Sequence, residues 1–387
     1  MQRREFLMES GRAALGFSLA PMALPLQGIQ NQSLVSDLEQ EIAELLNKAQ
    51  VPGLSIALVK DGALLWRRGF GVKDIRSKAP VDDSTVFQAA STTKPVFAYA
   101  VMKLCEKRVM DLDTPLTKYA PARFLESDPL LDRITARHVL SHTSGLPNWR
   151  SKEEPAAVRF TPGDKWGYSG EGYSYLQSAV SHLTGARVNR QSCARYEAGI
   201  EFCATDPIID EYMQRNILVP FGMASSGFLW SPRMEANTAW GHDPKGLPLK
   251  TSREPSGPAV ARYGMAGGLF TTPSDYARFL MEVIAPKPSD EFRLSGASLA
   301  EMLRPHVKVT PQNSWALGWE ISHTAAGDVI RHSGGNPGYS CFVAASVERK
   351  SGYVIMTNSE DNGYLHVVAK LIAGNALPRF LGAKLEG

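Results

Sequence analysis

The stretch Ser91-Thr92-Thr93-Lys94 places a serine hydroxyl and a lysine ammonium three residues apart. On a helix, residues at positions i and i+3 lie on the same face, so the two side chains can meet. A serine hydroxyl becomes a good nucleophile only when a neighbouring group takes its proton. About one such tetrapeptide is expected by chance in a chain of this length, so its meaning depends on what accompanies it.

Two further motifs complete the pattern that a serine acyl-transfer site needs. Tyr168 follows within Trp166-Gly167-Tyr168-Ser169-Gly170, and His332-Ser333-Gly334-Gly335 lies near the C-terminus. In this order the chain resembles the serine hydrolases of the penicillin-recognising type, which include class C β-lactamases, D-alanyl-D-alanine carboxypeptidases, D-aminopeptidases and the esterases similar to them.

The segments that connect these motifs also resemble the family. They are Leu112-Asp113, Lys118-Tyr119-Ala120-Pro121, residues 138–147, Ala266-Gly267-Gly268-Leu269 and Pro337-Gly338-Tyr339. Together they cover most of residues 50 to 360 in the family's order, which is far more specific than one tetrapeptide. The resemblance implies an α+β fold of the β-lactamase/transpeptidase-like type that works without a cofactor.

The composition is that of a globular chain. It has 387 residues, of which 43% are hydrophobic and 21% charged, enough for a core and two lobes. Its 42 basic and 39 acidic residues give a net charge of +3. No run of lysine or arginine has the length typical of nucleic-acid or anionic-membrane binding. We expect a small-molecule ester or peptide substrate and no nucleic-acid partner, and the oligomeric state stays open.

The N-terminal residues 1–27 differ from the rest. Arg3-Arg4-Glu5-Phe6-Leu7 is followed by an uncharged apolar stretch over residues 13–26, which resembles a twin-arginine export signal. Pro21 and Pro25 make this stretch too short and too broken for a stable membrane anchor. We predict that it is removed and that residues 28–387 form an exported domain, periplasmic or secreted. The cleavage position stays open.

Four cysteines follow, at positions 105, 193, 203 and 341. In an oxidising compartment the nearby pair Cys193 and Cys203 is a candidate disulfide, although the sequence does not decide whether it forms. Cys105 and Cys341 lie in apolar surroundings, which predicts buried thiols. We predict no metal site, because His138 and His142 lack the glutamate of an H-E-x-x-H motif.

Hydrophobic periodicity predicts strands at both ends of the chain. Strands are predicted over 54–60 and 63–71, joined by an Asp61-Gly62 hairpin, and over 315–322, 329–332, 339–347 and 352–358. Helices are predicted over 31–50, 96–107, 173–183, 208–217, 274–284 and 363–372.

This distribution predicts an antiparallel sheet flanked by helices together with a mostly helical lobe. The α/β lobe would comprise about residues 31–90 and 286–387, and the helical lobe about residues 91–285. An insertion near 186–207 does not match the family pattern. A cleft between two such lobes is where ligand sites tend to form, and the three motifs fall around that boundary.

The chemistry expected at this boundary is acyl transfer to Ser91. A helix that begins near Ser91 leaves its backbone N–H free at the positive end of the helix dipole. Lys94 and Tyr168 would be the activating pair, because an ammonium lowers the pKa of a nearby phenol. The resemblance favours Tyr168 as the proton acceptor, while the residues alone leave open whether Tyr168 or Lys94 takes the proton first.

The glycine-rich segment near the C-terminus would assist. His332 would orient the substrate or hydrogen-bond Tyr168, and the backbone N–H groups of Gly335 and Ser91 could form an oxyanion hole. The residues expected to line the substrate pocket are Asn148, Trp149, Gly170, Ser333 and Gly334.

Two departures from the family's drug-hydrolysing members bear on the substrate. His332-Ser333-Gly334 stands where they carry Lys-Thr-Gly, and Tyr168-Ser169-Gly170 where they carry Tyr-x-Asn. Both changes remove groups that hold β-lactams, so the resemblance favours a carboxylesterase acting on small esters. The alternatives are a D-amino-acid peptidase, amidase or carboxypeptidase acting on cell-wall peptides, a weak β-lactamase, and a non-catalytic penicillin-binding sensor.

Overall fold

The structure is a computed structural model that describes residues 26–119, 125, 128–150, 157–185, 194–195, 201–202, 207–249 and 264–385. The twin-arginine segment, Cys193 and Cys203 lie outside these ranges, so the export signal and the disulfide stay predictions. Within these ranges, no helix combines the length and the apolar character that a membrane crossing requires.

Eight strands form one antiparallel sheet in the order β2-β1-β12-β11-β10-β9-β8-β7. The strands in chain order are β1 (Gly53–Lys60), β2 (Ala63–Gly71), β3 (Phe87–Gln88), β4 (Ala194–Arg195), β5 (Glu201–Phe202), β6 (Phe270–Thr271), β7 (Val307–Lys308), β8 (Asn313–Trp315), β9 (Glu320–Thr324), β10 (Gly327–Asn336), β11 (Tyr339–Ser346) and β12 (Ser351–Thr357). Strands β3 and β6 pair with each other, as do β4 and β5.

Helices cover both faces of this sheet. They are α1 (Leu26–Ala49), α2 (Thr93–Glu106), α3 (Ala136–Leu140), α4 (Gly170–Leu183), α5 (Pro207–Met213), α6 (Pro232–Asn237), α7 (Pro273–Ile284), α8 (Gly296–Leu303), α9 (Ala369–Ala373) and α10 (Ala376–Leu381). Helix α1 and the C-terminal helices cover one face, and α2, α4 and α7 belong to the core on the other. The predicted α+β fold, an antiparallel sheet with helices, is therefore confirmed.

Strand β1 shows why both faces need helices. Leu54 and Ile56 belong to the core beneath α1, whereas Ala57 and Val59 belong to the core that includes α2, α4 and α7. All four side chains are fully buried. Successive side chains of a strand point to opposite faces, so a strand that is apolar on both faces must lie between two layers.

The predicted hairpin forms as expected. Asp61 and Gly62 adopt positive φ angles of 50° and 76°, as a two-residue turn between antiparallel strands requires. A Cβ at Gly62 would lie 2.6 Å from the Cβ of Ala285, so glycine is also needed for packing. Strand β2 has the predicted bounds, and β1 begins one residue earlier.

The prediction of a single strand over 315–322 is wrong. Residues 316–319 form a turn between β8 and β9, in which the Ala316 N–H donates to the Trp319 carbonyl at 2.8 Å. Gly318 adopts φ 82°, and a Cβ there would lie 2.6 Å from the Cβ of Ala98. The sequence did not reveal this turn, because Gly318 is the only residue of the apolar run that is typical of turns.

Several other elements differ from the prediction. Helices α3, α6, α8 and α10 and the short strands β3 to β7 were not predicted. The helix predicted over 363–372 begins with a π-helical turn over Gly363–Val368 before α9. Of the two cysteines predicted to be buried, Cys341 is buried and Cys105 is half-buried. The Cys341 thiol donates to the Gln88 carbonyl at 3.1 Å, which ties the sheet to the segment that leads into Ser91.

Candidate active site

Ser91 lies in a sharp turn immediately before α2. The turn is a single 3₁₀ segment over Ala90–Thr92, and Ala90 adopts φ 47°, a left-handed conformation that is uncommon for a residue with a Cβ. Hydrogen bonds hold it, from the Thr92 hydroxyl to the Ala89 carbonyl at 2.7 Å and from the Tyr276 hydroxyl to the Thr92 carbonyl at 2.6 Å. Residues 92–100 are buried, whereas Ser91 keeps partial exposure. The turn therefore presents its hydroxyl at the surface of the core.

Lys94 reaches back to Ser91 from the first turn of α2. Its Nζ lies 3.2 Å from Ser91 Oγ and donates to the Ala266 carbonyl at 2.6 Å. Its exposure is 1%, and burial lowers the pKa of the Lys94 ammonium to about 7. A lysine with this pKa is substantially neutral at and above neutral pH, so it can accept a proton.

Tyr168 completes the group. Its hydroxyl hydrogen-bonds the Ser91 side chain, and Lys94 Nζ lies 4.9 Å from the centre of its ring. Burial raises the pKa of the Tyr168 phenol, and the Ser91 hydrogen bond only partly opposes this. The expectation that Lys94 lowers this pKa is wrong here, because burial penalises the phenolate and the ammonium alike.

A loop missed as functional by sequence reasoning holds Tyr168 from both sides. The Gly167 N–H donates to the His142 carbonyl at 2.8 Å, and the Ser169 N–H donates to His142 Nδ1 at 3.0 Å. The His142 ring packs on the Tyr168 ring with centroids 4.2 Å apart. His142 is fully buried, and burial holds its pKa well below the usual range, so the ring is neutral.

The two histidines of this segment have separate tasks. His138 accepts the Thr135 N–H at 3.3 Å in a capping box at the start of α3, whereas His142 contacts Tyr168. The family-like segment over residues 138–147 was the available signal for His142. Its sequence does not show that the His142 ring would accept a hydrogen bond from the backbone next to Tyr168.

Asn148, Trp149 and Gly170 lie outside the lining of the cleft next to Ser91. Asn148 caps α4, since its Oδ1 accepts the Gly170 N–H at 3.1 Å and its carbonyl accepts the Glu171 N–H at 3.0 Å. A Cβ at Gly170 would lie 2.6 Å from Trp149 Cζ2. Trp149 thus occupies the space into which an asparagine at position 170 would project, which explains the departure from Tyr-x-Asn in physical terms.

His332 lies on β10 at the edge of the Tyr168 ring, with ring centroids 6.3 Å apart. Its Nδ1 lies 2.6 Å from the Ser333 carbonyl, a contact that requires the proton on Nδ1. Burial, together with the nearby Lys94 charge, lowers the pKa of His332 to about 3. His332 is therefore a neutral ring and does not replace the lysine charge of the Lys-Thr-Gly motif.

The two glycines after Ser333 differ in their surroundings. A Cβ at Gly334 would lie 2.8 Å from the Ala89 carbonyl oxygen and 3.0 Å from the Ser91 nitrogen, so a side chain there would push β10 away from the turn that carries Ser91. A Cβ at Gly335 would meet nothing within 4 Å. Successive residues of a strand face opposite ways, so the open space at Gly335 lies on the face of β10 away from the Ser91 turn. The oxyanion hole expected from the Ser91 and Gly335 N–H groups stays a prediction.

A cleft of about 340 Å³ opens beside Ser91. Its lining residues are Ser91, Trp166, Tyr168, Val309, Trp315, Glu320, His332, Ser333, Gly334 and Gly335. This lining contains no lysine or arginine, and Glu320 pairs with Arg331 at 2.9 Å. Ser333, Gly334 and Gly335 also line a second cavity of about 540 Å³, which includes Glu360 and Asp361.

The fold and these contacts together define a class of protein. A serine within reach of a buried lysine and a tyrosine, beside the glycine-rich edge of an antiparallel sheet, is an arrangement suited to acyl transfer. Residues 38–376 match the Beta-lactamase family model. The chain belongs to the Beta-lactamase family.

Individual relatives share only a limited part of their sequence with this chain. Protein flp of Staphylococcus aureus (strain N315) is 22% identical over 352 residues, which cover 84% of this chain and 64% of that protein. The chain thus spans less than two thirds of the length of that relative. Esterase EstB of Burkholderia gladioli is 34% identical over 136 residues, which cover 34% of this chain and 33% of that protein.

Two solved structures share the fold. D-alanine carboxypeptidase AmpC from Burkholderia cenocepacia gives a TM-score of 0.70 at 17% identity, covering 91% of this chain and 99% of that one. The octameric penicillin-binding protein homologue from Pyrococcus abyssi gives a TM-score of 0.68 at 24% identity, and the match covers 90% of this chain and 79% of that one. At these identities the likeness concerns the fold alone.

Proposed function

We propose that this protein is an exported serine hydrolase that cleaves small carboxylic esters through an acyl-enzyme on Ser91. The observation that carries the proposal is the contact of Lys94 Nζ with Ser91 Oγ at 3.2 Å inside a buried site. Burial gives this amine a pKa of about 7, which is suitable for a base at neutral pH.

In the first half of the reaction Lys94 takes the Ser91 proton while Ser91 Oγ attacks the ester carbonyl carbon. The pKa directions support Lys94 over Tyr168 as first acceptor, because burial lowers the pKa of Lys94 and raises that of Tyr168. The backbone N–H groups of Ser91 and Gly335 stabilise the oxyanion. As the carbon–oxygen bond breaks, Tyr168 donates its proton to the leaving alkoxide and recovers one from Lys94.

Water completes the cycle. Lys94, neutral again, takes a proton from water as the oxygen attacks the acyl carbon, and the breaking ester bond returns Ser91 to its alkoxide, which is protonated through Tyr168. His332 stays neutral and positions the Tyr168 ring edge and the strand that carries Gly335. Each proton that leaves Ser91 or water is thus delivered to the alcohol product or back to Ser91.

The cleft favours an ester over a β-lactam or a C-terminal D-peptide. Both of the latter carry a carboxylate, which is bound most readily by a cationic side chain. The cleft lining has no lysine or arginine, and His332 is held neutral. An ester without a free carboxylate avoids this mismatch.

One observation favours an amidase acting on D-amino-acid amides as the second candidate. The cavity that adjoins the cleft across Ser333, Gly334 and Gly335 is bordered by the carboxylates of Glu360 and Asp361. A free amino group of such a substrate would carry a positive charge that these carboxylates could attract.

Parallel kinetics test these proposals. The protein is assayed with p-nitrophenyl butyrate, a D-alanine p-nitroanilide and a chromogenic cephalosporin, beside Ser91→Ala and the surface control Ser77→Ala. We expect ester turnover in the native and Ser77→Ala proteins only. Faster turnover of the anilide would establish the amidase, rapid cephalosporin turnover would contradict the charge argument, and a single stoichiometric burst would indicate a sensor.

Export is tested separately on the full-length chain. Replacing Arg3 and Arg4 by lysine keeps the charge and removes the arginine pair. We expect the protein to move from the exported fraction into the cytoplasmic one. Unchanged fractionation would reject a twin-arginine signal.

A further inference from the structure

Two tryptophans form one wall of the cleft beside Ser91. Trp166 and Trp315 both line it, and their ring centroids lie 5.6 Å apart at an angle of 43°. Neither belongs to the serine, lysine and tyrosine of the proposed reaction. Trp166 is half-buried and Trp315 only slightly exposed, so each offers part of its indole ring to the cleft next to Ser91. The proposed catalytic steps do not use either ring.

Trp315 is held rigidly. Three rings meet it edge to face, with centroid distances of 4.9 Å to His142, 5.9 Å to Tyr168 and 5.6 Å to His332. Its exposure is only 5%, although it reaches the cleft. A binding surface that is fixed by its neighbours loses little conformational freedom when a ligand arrives.

The charges around this wall balance. Glu320 is the only carboxylate of the lining, and it pairs with Arg331 at 2.9 Å. His332 is neutral, and Val309 adds apolar surface. A group bound here therefore meets aromatic rings and no net charge from the lining.

From this wall we infer that the cleft is a subsite for an uncharged aromatic ring, so that the preferred substrates are esters with an aryl group close to the scissile bond. Aromatic rings prefer offset-stacked or edge-to-face contacts with other rings, which a saturated ring of similar size cannot make. The inference rests on the proposed esterase function for its chemistry, but the binding of the ring can be measured without turnover. The ring can come from the acyl or from the alcohol side, and the substrates below separate the two.

Matched ester pairs test the inference. Ethyl phenylacetate is compared with ethyl cyclohexylacetate for the acyl side, and benzyl acetate with cyclohexylmethyl acetate for the alcohol side, by titration of the acid released. We expect an aryl preference of about tenfold in kcat/KM on one side. Equal rates for the aromatic and saturated members of both pairs would overturn the inference.

Variants assign the preference to the wall. Trp166→Leu keeps apolar volume and should reduce the preference to about onefold, Trp166→Phe should retain most of it, and Trp66→Leu is the control. Trp66 is half-buried on β2, away from the cleft, next to Phe70. A preference unchanged in Trp166→Leu would reject the wall as its origin.

Boronic acids give a readout that survives failure of the esterase proposal. Ser91 Oγ adds to the trivalent boron and its proton passes to Lys94, so no leaving group is needed. Benzylboronic acid should bind about tenfold more tightly than cyclohexylmethylboronic acid, since the same methylene separates ring and boron in both, as measured by tryptophan fluorescence. This ratio without any ester turnover would uphold the subsite and reject the esterase, and equal affinities would reject the subsite.

Discussion

Helix α2 carries a buried lysine near each end, and the two lysines differ in whether a carboxylate lies beside them. Lys94 has 1% exposure, and within the described part of the chain its hydrogen bonds go to two neutral oxygens, those of Ser91 and Ala266. Its Nζ also lies over the neutral rings of Tyr168 and Tyr173. Lys103 has 5% exposure and pairs with the Glu106 carboxylate at 2.6 Å, with two carbonyls completing its hydrogen bonds. A buried charge with a counter-charge belongs to the structure, whereas one without it tends to lose its proton and can act as a base.

The largest expected effect separates the two lysines by activity. Lys94→Met should lower kcat/KM for the ester by about 10³-fold or more, because a base of this kind contributes about 10²–10⁴-fold and the serine is then left unactivated. Lys103→Met should keep kcat/KM within about threefold of the native value, when both proteins are assayed at a temperature at which the variant is folded. Steady-state kinetics on both folded variants test this. A comparable loss of kcat/KM in the two would show that Lys94 has no special role in the reaction.

The second effect separates them by stability. Lys103→Met leaves the Glu106 carboxylate, whose side chain is 21% exposed, without its cation. We expect the free energy of unfolding to fall by about 2–3 kcal/mol, somewhat less than for a fully buried pair. Urea denaturation measures this, with Lys103→Met/Glu106→Gln as the control that removes both charges. A double variant no more stable than the single one would argue against a stabilising pair.

The pH dependence is a third expectation. Burial lowers the pKa of Lys94 to about 7, and only the neutral amine accepts a proton. The value of kcat/KM should therefore rise with pH, about tenfold per unit below pH 7, and level off above it. A flat profile between pH 5 and 8 at constant ionic strength would assign the base to another group.

The smallest effect concerns the support of Tyr168. His142→Phe keeps a ring against Tyr168 and removes the Nδ1 acceptor of the Ser169 N–H. We expect kcat to fall about tenfold through misplacement of Tyr168, with the acidic limb near pH 7 unchanged. His142→Asn, whose side-chain oxygen can accept the same N–H, should recover part of the loss. A shifted acidic limb would instead mean that His142 itself titrates in the reaction.

The sequence predicted the fold and the contact between Ser91 and Lys94 well, because both depend on residues that are close together in the chain. A three-residue spacing placed Lys94 at Ser91, and alternating strands with an Asp61-Gly62 turn located the first hairpin to within one residue. The strand predicted over 329–332, which ends at His332, is β10, and it continues to Asn336.

What the sequence could not supply depends on distant packing. The position of Trp149 against Gly170, the contact of His142 with Tyr168 and the aromatic wall each join segments far apart in the chain. The direction of the Tyr168 pKa was mistaken for the same reason. The charge of a neighbour is visible in sequence, whereas the depth of burial is not.

The most direct test is a titration of Lys94 itself. Heteronuclear NMR of protein labelled with ¹³C-lysine, with Lys94→Arg to identify the signal, follows its ammonium as the pH changes. We expect a pKa of about 7, caused by burial without a counter-charge. A value at the ordinary 10.5 would show that Lys94 stays charged at neutral pH and that Ser91 is activated by another group.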